Sequence, residues 1–262
     1  MIMMTAQEIF ERLLDQSAER WEVTCDGLIA GDANKSVSRI GTCFKLTAEL
    51  IDLAKARNID MIITHEPTFG GGDLRENAFG LDGEKWRLLD ESGIVVYRFH
   101  DHAHNTRPDY IHAGFIDRLQ LPIAKKYDNE SLGVSRYELS EPTTTRRLAE
   151  HIKARMSLPM IRAVGNADAP VRTVCLGLGS VGLKQFHYLI DPGCDLFITG
   201  EAGEVRVCEY VRDACYFGHQ KSVLMLGHCT AEYDGMRLLA EKLTADGLSA
   251  EYLHSGEVFF AI

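Results

Sequence analysis

Three short segments of this chain gather histidine with carboxylate. They are Thr64-His65-Glu66-Pro67, His100-Asp101-His102-Ala103-His104-Asn105 and His228-Cys229-Thr230-Ala231-Glu232. Imidazole and carboxylate donors together suit zinc, iron, manganese, cobalt or nickel. His100 and His104 are four residues apart, as are His228 and Glu232; on a helical turn that separation puts both side chains on one face, where they can grip one ion. His65 and Glu66 are adjacent, so a bend after a strand lets them address two neighbouring ions. A single histidine after a strand is ordinarily a hydrogen-bonded structural residue. Three such clusters point instead to a site for two divalent metal ions, with His65, Glu66, His100, His104, His228 and Glu232 as ligands. Asp101 is placed to orient an imidazole from behind. His102 points away from His100 and His104, either behind the ligands or on the surface.

Other reactive side chains offer less. His112, His151, His187 and His219 have no companions in the sequence and read as structural. The glycine run at Gly70-Gly71-Gly72 lacks the Gly-Lys-Ser/Thr ending of a phosphate loop; it reads as a turn, or as backbone that approaches metals or substrate. No serine stands in a nucleophile-elbow pattern. No catalytic side chain is therefore assigned, and a hydrolytic reaction would use a hydroxide bridging the two ions.

The clusters need strands and turns to hold them. Thr5 and Glu8 form a capping-box pattern ahead of Ile9, Phe10, Leu13 and Leu14, predicting a helix over Thr5–Asp15. Apolar runs at 38–44, 60–64 and 93–99 read as strands, and 47–57 and 86–92 as helices between them. The second half repeats this order. Strands are predicted at 173–179, 195–201 and 222–228, with helices at 183–190 and 204–214. Asp195-Leu196-Phe197-Ile198-Thr199-Gly200-Glu201 follows Asp60-Met61-Ile62-Ile63-Thr64-His65-Glu66 almost position for position, and Ser222–His228 follows Ile94–His100. The fold class is α/β: two similar units with mixed sheets covered by helices. The join is expected near Asp128–Gly133, where turn formers cluster, giving a first unit over 1–128 completed by 233–262 and a second over 129–232. A last strand is expected at Glu257–Ile262. All three clusters fall at C-terminal ends of predicted strands, where α/β folds place ligands.

Composition narrows the function classes. Of 262 residues, 45% are hydrophobic and 25% charged, ordinary for a globular protein. The seven cysteines, at 25, 43, 175, 194, 208, 215 and 229, are odd in number and form no C-x-x-C pair, which speaks against a disulfide scaffold or a zinc finger and fits a reducing cytoplasm. A net charge of −10 is a poor footprint for nucleic acid. No membrane span is expected, and Met1–Glu8 has no basic region followed by a long apolar stretch, so no secretory leader is expected either.

With these residues in view, the chain resembles the Nif-three-like dinuclear metal-centre family, many of whose members carry the label GTP cyclohydrolase 1 type 2 homolog. The resemblance rests on Trp21–Asp32, Ile62–Pro67, His100–His104, Asp195–Glu201 and Gly227–Glu232. It implies a two-metal site at the bottom of a cleft between two related α/β units, and a ring-shaped homohexamer. The family pattern has two adjacent histidines before the proline, where this chain has Glu66, and an aspartate where this chain has His104. The two departures exchange a histidine for a carboxylate and back, so four histidines and two carboxylates remain. The expected function is metal-dependent hydrolysis of a small, phosphorylated or nucleotide-like substrate. The alternative is a metal-handling regulatory protein acting through protein partners.

Overall fold

A computed structural model describes residues 4–127, 133–182, 185–191 and 193–260. By its internal contacts the chain divides into two units, Met1–Gly114 with Tyr233–Gly256, and Phe115–Glu232 with Glu257–Ile262. The turn-rich stretch 128–132 and residues 183–184, at the start of an expected helix, lie outside the described residues.

The first unit opens with β1 (Met4–Thr5) and α1 (Ala6–Leu14). The capping box is formed: Glu8 donates its N–H to Thr5 Oγ1 at 3.2 Å, and Thr5 donates its N–H to Glu8 Oε2 at 2.8 Å. This satisfies two amides that the first helical turn would otherwise leave unbonded. Strands β2 (Gly27–Ala30), β3 (Ser36–Val37) and β4 (Ile40–Cys43) follow, then α2 (Ala48–Ala56) with Thr47 as its cap, β5 (Met61–Thr64), α3 (Asp82–Ser92), β6 (Val95–Arg98) and the short α4 (Asp101–His104). The division of the chain falls within α5 (Tyr110–Leu119).

In the second unit come β7 (Ile123–Tyr127), β8 (Ser135–Thr144), α6 (Thr145–Met156), β9 (Arg162–Gly165), β10 (Pro170–Val181), α7 (Phe186–Ile190), β11 (Leu196–Ala202), α8 (Glu209–Tyr216) and β12 (Ser222–Met225). The helix expected from Glu204 begins instead with a wide π-type turn at Glu204–Cys208. The last helix, α9, is His228–Ala245, and β13 is Ala250–Tyr252.

The sheet of the first unit has the order β13-β4-β5-β6-β2, with β2 antiparallel to β6 and the other neighbours parallel. Its core joins Leu50 and Ile51 of α2 and Trp86 and Leu89 of α3 to Ile62 and Val96 of the sheet. The sheet of the second unit has the order β7-β8-β10-β11-β12-β9. There β10, β11 and β12 run parallel, flanked by antiparallel β8 and β9. Its core centres on Phe197, Val211, Tyr188 and Val223. The two sheets thus share a motif, three parallel strands in sequence order closed on the far side by an antiparallel strand that precedes them in the chain.

The threonines at the ends of β5 and β11 mark the repeat. Thr64 Oγ1 donates to the Glu66 carbonyl at 3.2 Å, or to that of Phe44 at 3.4 Å. Thr199 Oγ1 has the Glu201 and Gly179 carbonyls, both at 3.2 Å, in the same roles. Both side chains are fully buried, so the hydroxyl fixes the bend that follows each strand. The backbone corrects the sequence match at the next strand. Phe99 donates its N–H to the Thr64 carbonyl at 2.9 Å, and Leu226 to that of Thr199 at 3.0 Å. His228 therefore lies one residue beyond the place of His100. The C-terminal expectation is corrected too. Glu257–Phe260 is irregular, residues 261–262 lie outside the described residues, and the strand that pairs with β4 is Ala250–Tyr252.

Candidate metal centre

In the first unit the turn after β5 and the turn into α4 bring three imidazoles together. One ring nitrogen from each of His65, His100 and His104 lies within 4.8 Å of the others. The His65 and His100 rings are stacked with centroids 4.4 Å apart, and His104 meets them edge-on at 5.1 and 5.2 Å. The bends carry this arrangement. His104 donates its N–H to the His100 carbonyl at 3.1 Å, closing the single turn that puts both residues on one face. Arg98 Nε holds the His65 carbonyl at 3.1 Å.

Each ring is anchored through Nδ1. His65 Nδ1 is 3.2 Å from the Phe99 carbonyl, His100 Nδ1 is 2.9 Å from Asp101 Oδ1, and His104 Nδ1 is 3.0 Å from Asp109 Oδ2. An acceptor at Nδ1 selects the tautomer that carries its hydrogen there, leaving Nε2 as the lone-pair nitrogen a metal requires. Glu66 places Oε1 3.6 Å from His100 Nε2. Burial, then the neighbouring His65 and His104, depress the His100 pKa below the ordinary histidine value, against the pull of Asp101 and Glu66. His100 is accordingly neutral near pH 7, as a metal ligand must be.

His102 is in a different position. It is buried at 2% exposure. Its Nδ1 lies 2.7 Å from Asp26 Oδ2, and its Nε2 accepts the Trp21 N–H at 3.0 Å. With both ring nitrogens occupied, it supports the turn. Asp26 also receives the backbone N–H groups of His100, Asp101 and His102 at 2.5, 3.1 and 2.8 Å. Asp101 in turn accepts from Thr24 Oγ1 at 2.8 Å and the Cys25 N–H at 3.1 Å. Burial pushes the Asp101 carboxyl up, but His100, Cys25 and Thr24 outweigh it and hold the group below the usual carboxylate range. Cys25 also lies within metal-ligand reach of His100 and Asp101. Burial of its sulfur pushes the thiol up to about 12, so it keeps its proton at neutral pH.

In the second unit, His228 and Glu232 share the first turns of α9, with His228 Nε2 3.2 Å from Glu232 Oε2. His228 Nδ1 lies 3.0 Å from Glu201 Oε1, the same kind of anchor as in the first unit. Glycines make the room. A Cβ at Gly179, whose φ is +84°, would stand 2.6 Å from Glu232 Oε1 and 3.1 Å from His228 Nε2, and one at Gly200 would stand 2.7 Å from His228 Cα.

The sequence reading thus has His65, Glu66, His100 and His104 gathered in one unit and His228 with Glu232 in the other. It missed the anchors Asp26, Asp109 and Glu201. Glu201 was visible as half of the repeated Thr-x-Glu ending without a role attached. Asp109 had no signal beyond its place between His104 and His112. His112 is not isolated, since its Nδ1 is 4.0 Å from Asp109 Oδ2. The glycine run is a turn whose Gly70 and Gly71 amides both donate to Asp82, at 2.9 and 3.0 Å. The histidine and acidic groups present can hold a metal ion, and the Nδ1 anchoring shared by four imidazoles is the arrangement such ligands need.

Comparison with known proteins places the chain. A GTP cyclohydrolase 1 type 2 homolog from Clostridium acetobutylicum is 26% identical over 223 residues, covering 83% of this chain and 80% of that protein. One of the same name from Streptomyces coelicolor is 28% identical, covering 74% and 70%. Among solved structures, a Bacillus cereus protein related to NIF3 superposes with a TM-score of 0.78 at 16% identity, covering 100% of both chains. The Staphylococcus aureus hypothetical protein SA1388 does so with a TM-score of 0.80 at 15% identity, also covering 100% of both. The model of the Duf34/NIF3 (NGG1p interacting factor 3) family matches residues 2–257, which is nearly the whole chain, and to that family this protein belongs.

Proposed function

We propose that this protein binds two divalent metal ions through His65, Glu66, His100, His104, His228 and Glu232, and hydrolyses a small phosphorylated or nucleotide-like substrate. The observation that carries the reading is the shared Nδ1 anchoring of His65, His100, His104 and His228, to Phe99 O, Asp101, Asp109 and Glu201 respectively. The structural His102 is held through Nδ1 as well, but spends its Nε2 on the Trp21 N–H, whereas His100 and His228 turn Nε2 toward the carboxylates of Glu66 and Glu232. Two ions held by four neutral imidazoles and two carboxylates leave a formal excess of about two positive charges, which attracts anionic groups; bound divalent ions also polarise phosphoryl oxygens and acidify water. The name shared by the curated relatives, GTP cyclohydrolase 1 type 2 homolog, is a narrower hydrolytic activity and supports the reaction class. By resemblance the assembly is a homohexamer, which light scattering would check.

A second reading, a metal-handling protein without turnover, is favoured by one observation. Asp26, Asp101, Asp109 and Glu201 are each engaged by an imidazole or a backbone amide, so none of the anchoring carboxyls is at liberty to protonate a leaving group. Metal analysis of protein purified without chelators, followed by turnover on phosphoester and nucleotide substrates with zinc, iron or manganese, separates the readings. Two ions per chain with chelator-sensitive turnover supports the hydrolase; two ions without turnover supports the second reading; a metal-free chain that cannot be loaded overturns both.

A further inference from the structure

The first unit has a cavity of about 570 Å³ beside α2 and α3, whose lining includes Lys45, Thr68, Asp82, Lys85 and Arg87. Two ammonium groups stand on it, each tied to the loop that continues from Glu66. Lys45 Nζ donates to the Pro67 carbonyl at 2.6 Å, and Lys85 Nζ donates to the carbonyls of Leu46 and Thr68. An ammonium has three hydrogens, so two remain on Lys45 and one on Lys85. Thr68 is 1% exposed, and its hydroxyl has no hydrogen-bond partner among the described residues. A buried hydroxyl without a partner is destabilising, a penalty that a ligand acceptor would remove.

The charges around the cavity are unequally available. Asp82 receives the N–H groups of Gly70, Gly71 and Phe79, and these hold its carboxyl below the usual range. Its charge is already compensated. Glu84 and Glu91, the other acids of the lining, are exposed, whereas Lys45 and Lys85 are half-buried. Burial, and after it the nearby Lys45, brings the Lys85 ammonium down to about 8. Lys45 and Lys85 press on one another there, and the pull of Asp82 and Asp73 on Lys85 is the weaker effect.

We propose that this cavity binds the phosphate group of a small phosphorylated molecule, held by Lys45 Nζ, Lys85 Nζ and the Thr68 hydroxyl. A phosphate monoester has the charge to relieve the lysine pair and enough oxygens for the remaining donors. The volume exceeds that of a phosphate and leaves room for the organic group it carries, whose hydroxyls the exposed Glu84 and Glu91 can accept. This deepens the hydrolase reading by naming the group recognised, and it is tested on chelator-treated protein so that the two fail separately.

The test is calorimetric titration of the metal-free full chain with inorganic phosphate and with glycerol 3-phosphate, with acetate as the carboxylate control. Saturable one-site binding of both phosphates is expected, at least tenfold weaker in Lys45→Met and several-fold weaker in Thr68→Val, each with an unchanged circular dichroism spectrum. Thr68→Val keeps the side-chain shape, so it carries the test if Lys45→Met does not fold. Absence of saturable phosphate binding, equal binding by wild type and Thr68→Val, or acetate binding as tightly as phosphate would each overturn the proposal. Loss of metal loading with phosphate binding intact would count against the metal centre alone.

Discussion

Asp109 stands 3.0 Å behind His104 and fixes which of its ring nitrogens faces forward. The same carboxylate accepts the N–H groups of Ile111 and His112 through its other oxygen, at 2.8 and 3.1 Å. One side chain thus begins a helix and orients a metal-ligand candidate.

Asp109→Asn separates these roles. The amide oxygen can keep the helix contacts, because Asn caps a helix about as well as Asp. Its NH2 group then faces Nδ1 of His104, reverses the tautomer and puts a hydrogen on Nε2. A ten- to hundredfold loss of metal affinity is expected, about the usual effect of removing such an anchor, with little change in the unfolding midpoint. Unaltered affinity by competition with a chromophoric chelator would show that the anchor does not matter.

A test of the second unit falls on a residue with no functional group. Gly179→Ala would put a methyl 2.6 Å from Glu232 Oε1, in a backbone conformation of φ +84° that favours glycine. Glu232 and His228 must then give way together. Metal bound through these two residues should be lost while loading through the first unit persists, so the metal-to-protein ratio should fall to about half. A ratio equal to wild type would remove His228 and Glu232 from the site.

How much of this was legible in the sequence follows from the range of each interaction. The central parallel strands β4, β5, β6, β10, β11 and β12 announced themselves as apolar runs such as Met61-Ile62-Ile63, since a strand buried on both faces needs no polar residues, whereas the three-residue parallel edge strand β13 did not. The antiparallel strands β2, β8 and β9 did not. Gly27–Ala30 is four residues long, and β8 is apolar at only a few positions. Likewise His100 and His104 were found because four residues make a helical turn, a local rule. Asp26 lies 74 residues from His100 and Glu201 lies 27 from His228; no periodicity connects residues that only the folded chain brings together. The reading of His112 as isolated failed for a smaller reason: its link to His104 runs through Asp109, a carboxylate with no motif of its own.

Acid sensitivity follows from His100. Its folded pKa lies below the ordinary value, because burial and the neighbouring His65 and His104 oppose the charge. As pH falls through about 6.5, the unfolded chain takes up a proton there and the folded chain does not, so stability declines. Asp101 acts in the same sense at lower pH: its folded pKa is depressed, and the stability it supplies is lost only below the ordinary carboxylate range, about 4. Denaturant titrations of metal-free protein should therefore show a lower midpoint at pH 5.5 than at pH 7.5, with most of that slope absent in His100→Gln. An equal slope in the variant would assign the sensitivity to other groups.

The exchanged pair Glu66 and His104 can be tested against the pattern the family usually has, two adjacent histidines before the proline and an aspartate at the later position. Glu66→His alone brings a further imidazole toward His100, whose Nε2 now has the Glu66 carboxylate 3.6 Å away. His104→Asp alone sets a carboxylate toward Asp109, which burial pushes up but which His112 and His104 hold ionised. Two ionised carboxylates at close range repel, and the shorter side chain reaches less far forward. The double variant therefore recovers the donor types without recovering their support, because Asp109 suits an imidazole at 104 and opposes a carboxylate. Metal affinity should be weakened in both single variants and only partly restored in the double. Adding Asp109→Asn to the double variant should raise affinity further, although in the wild-type background the same change lowers it. That reversal of sign, read by chelator competition, is specific to a coupled set of ligands and anchor. If Asp109→Asn weakens binding equally in both backgrounds, Asp109 acts on the fold and not through the residue at 104.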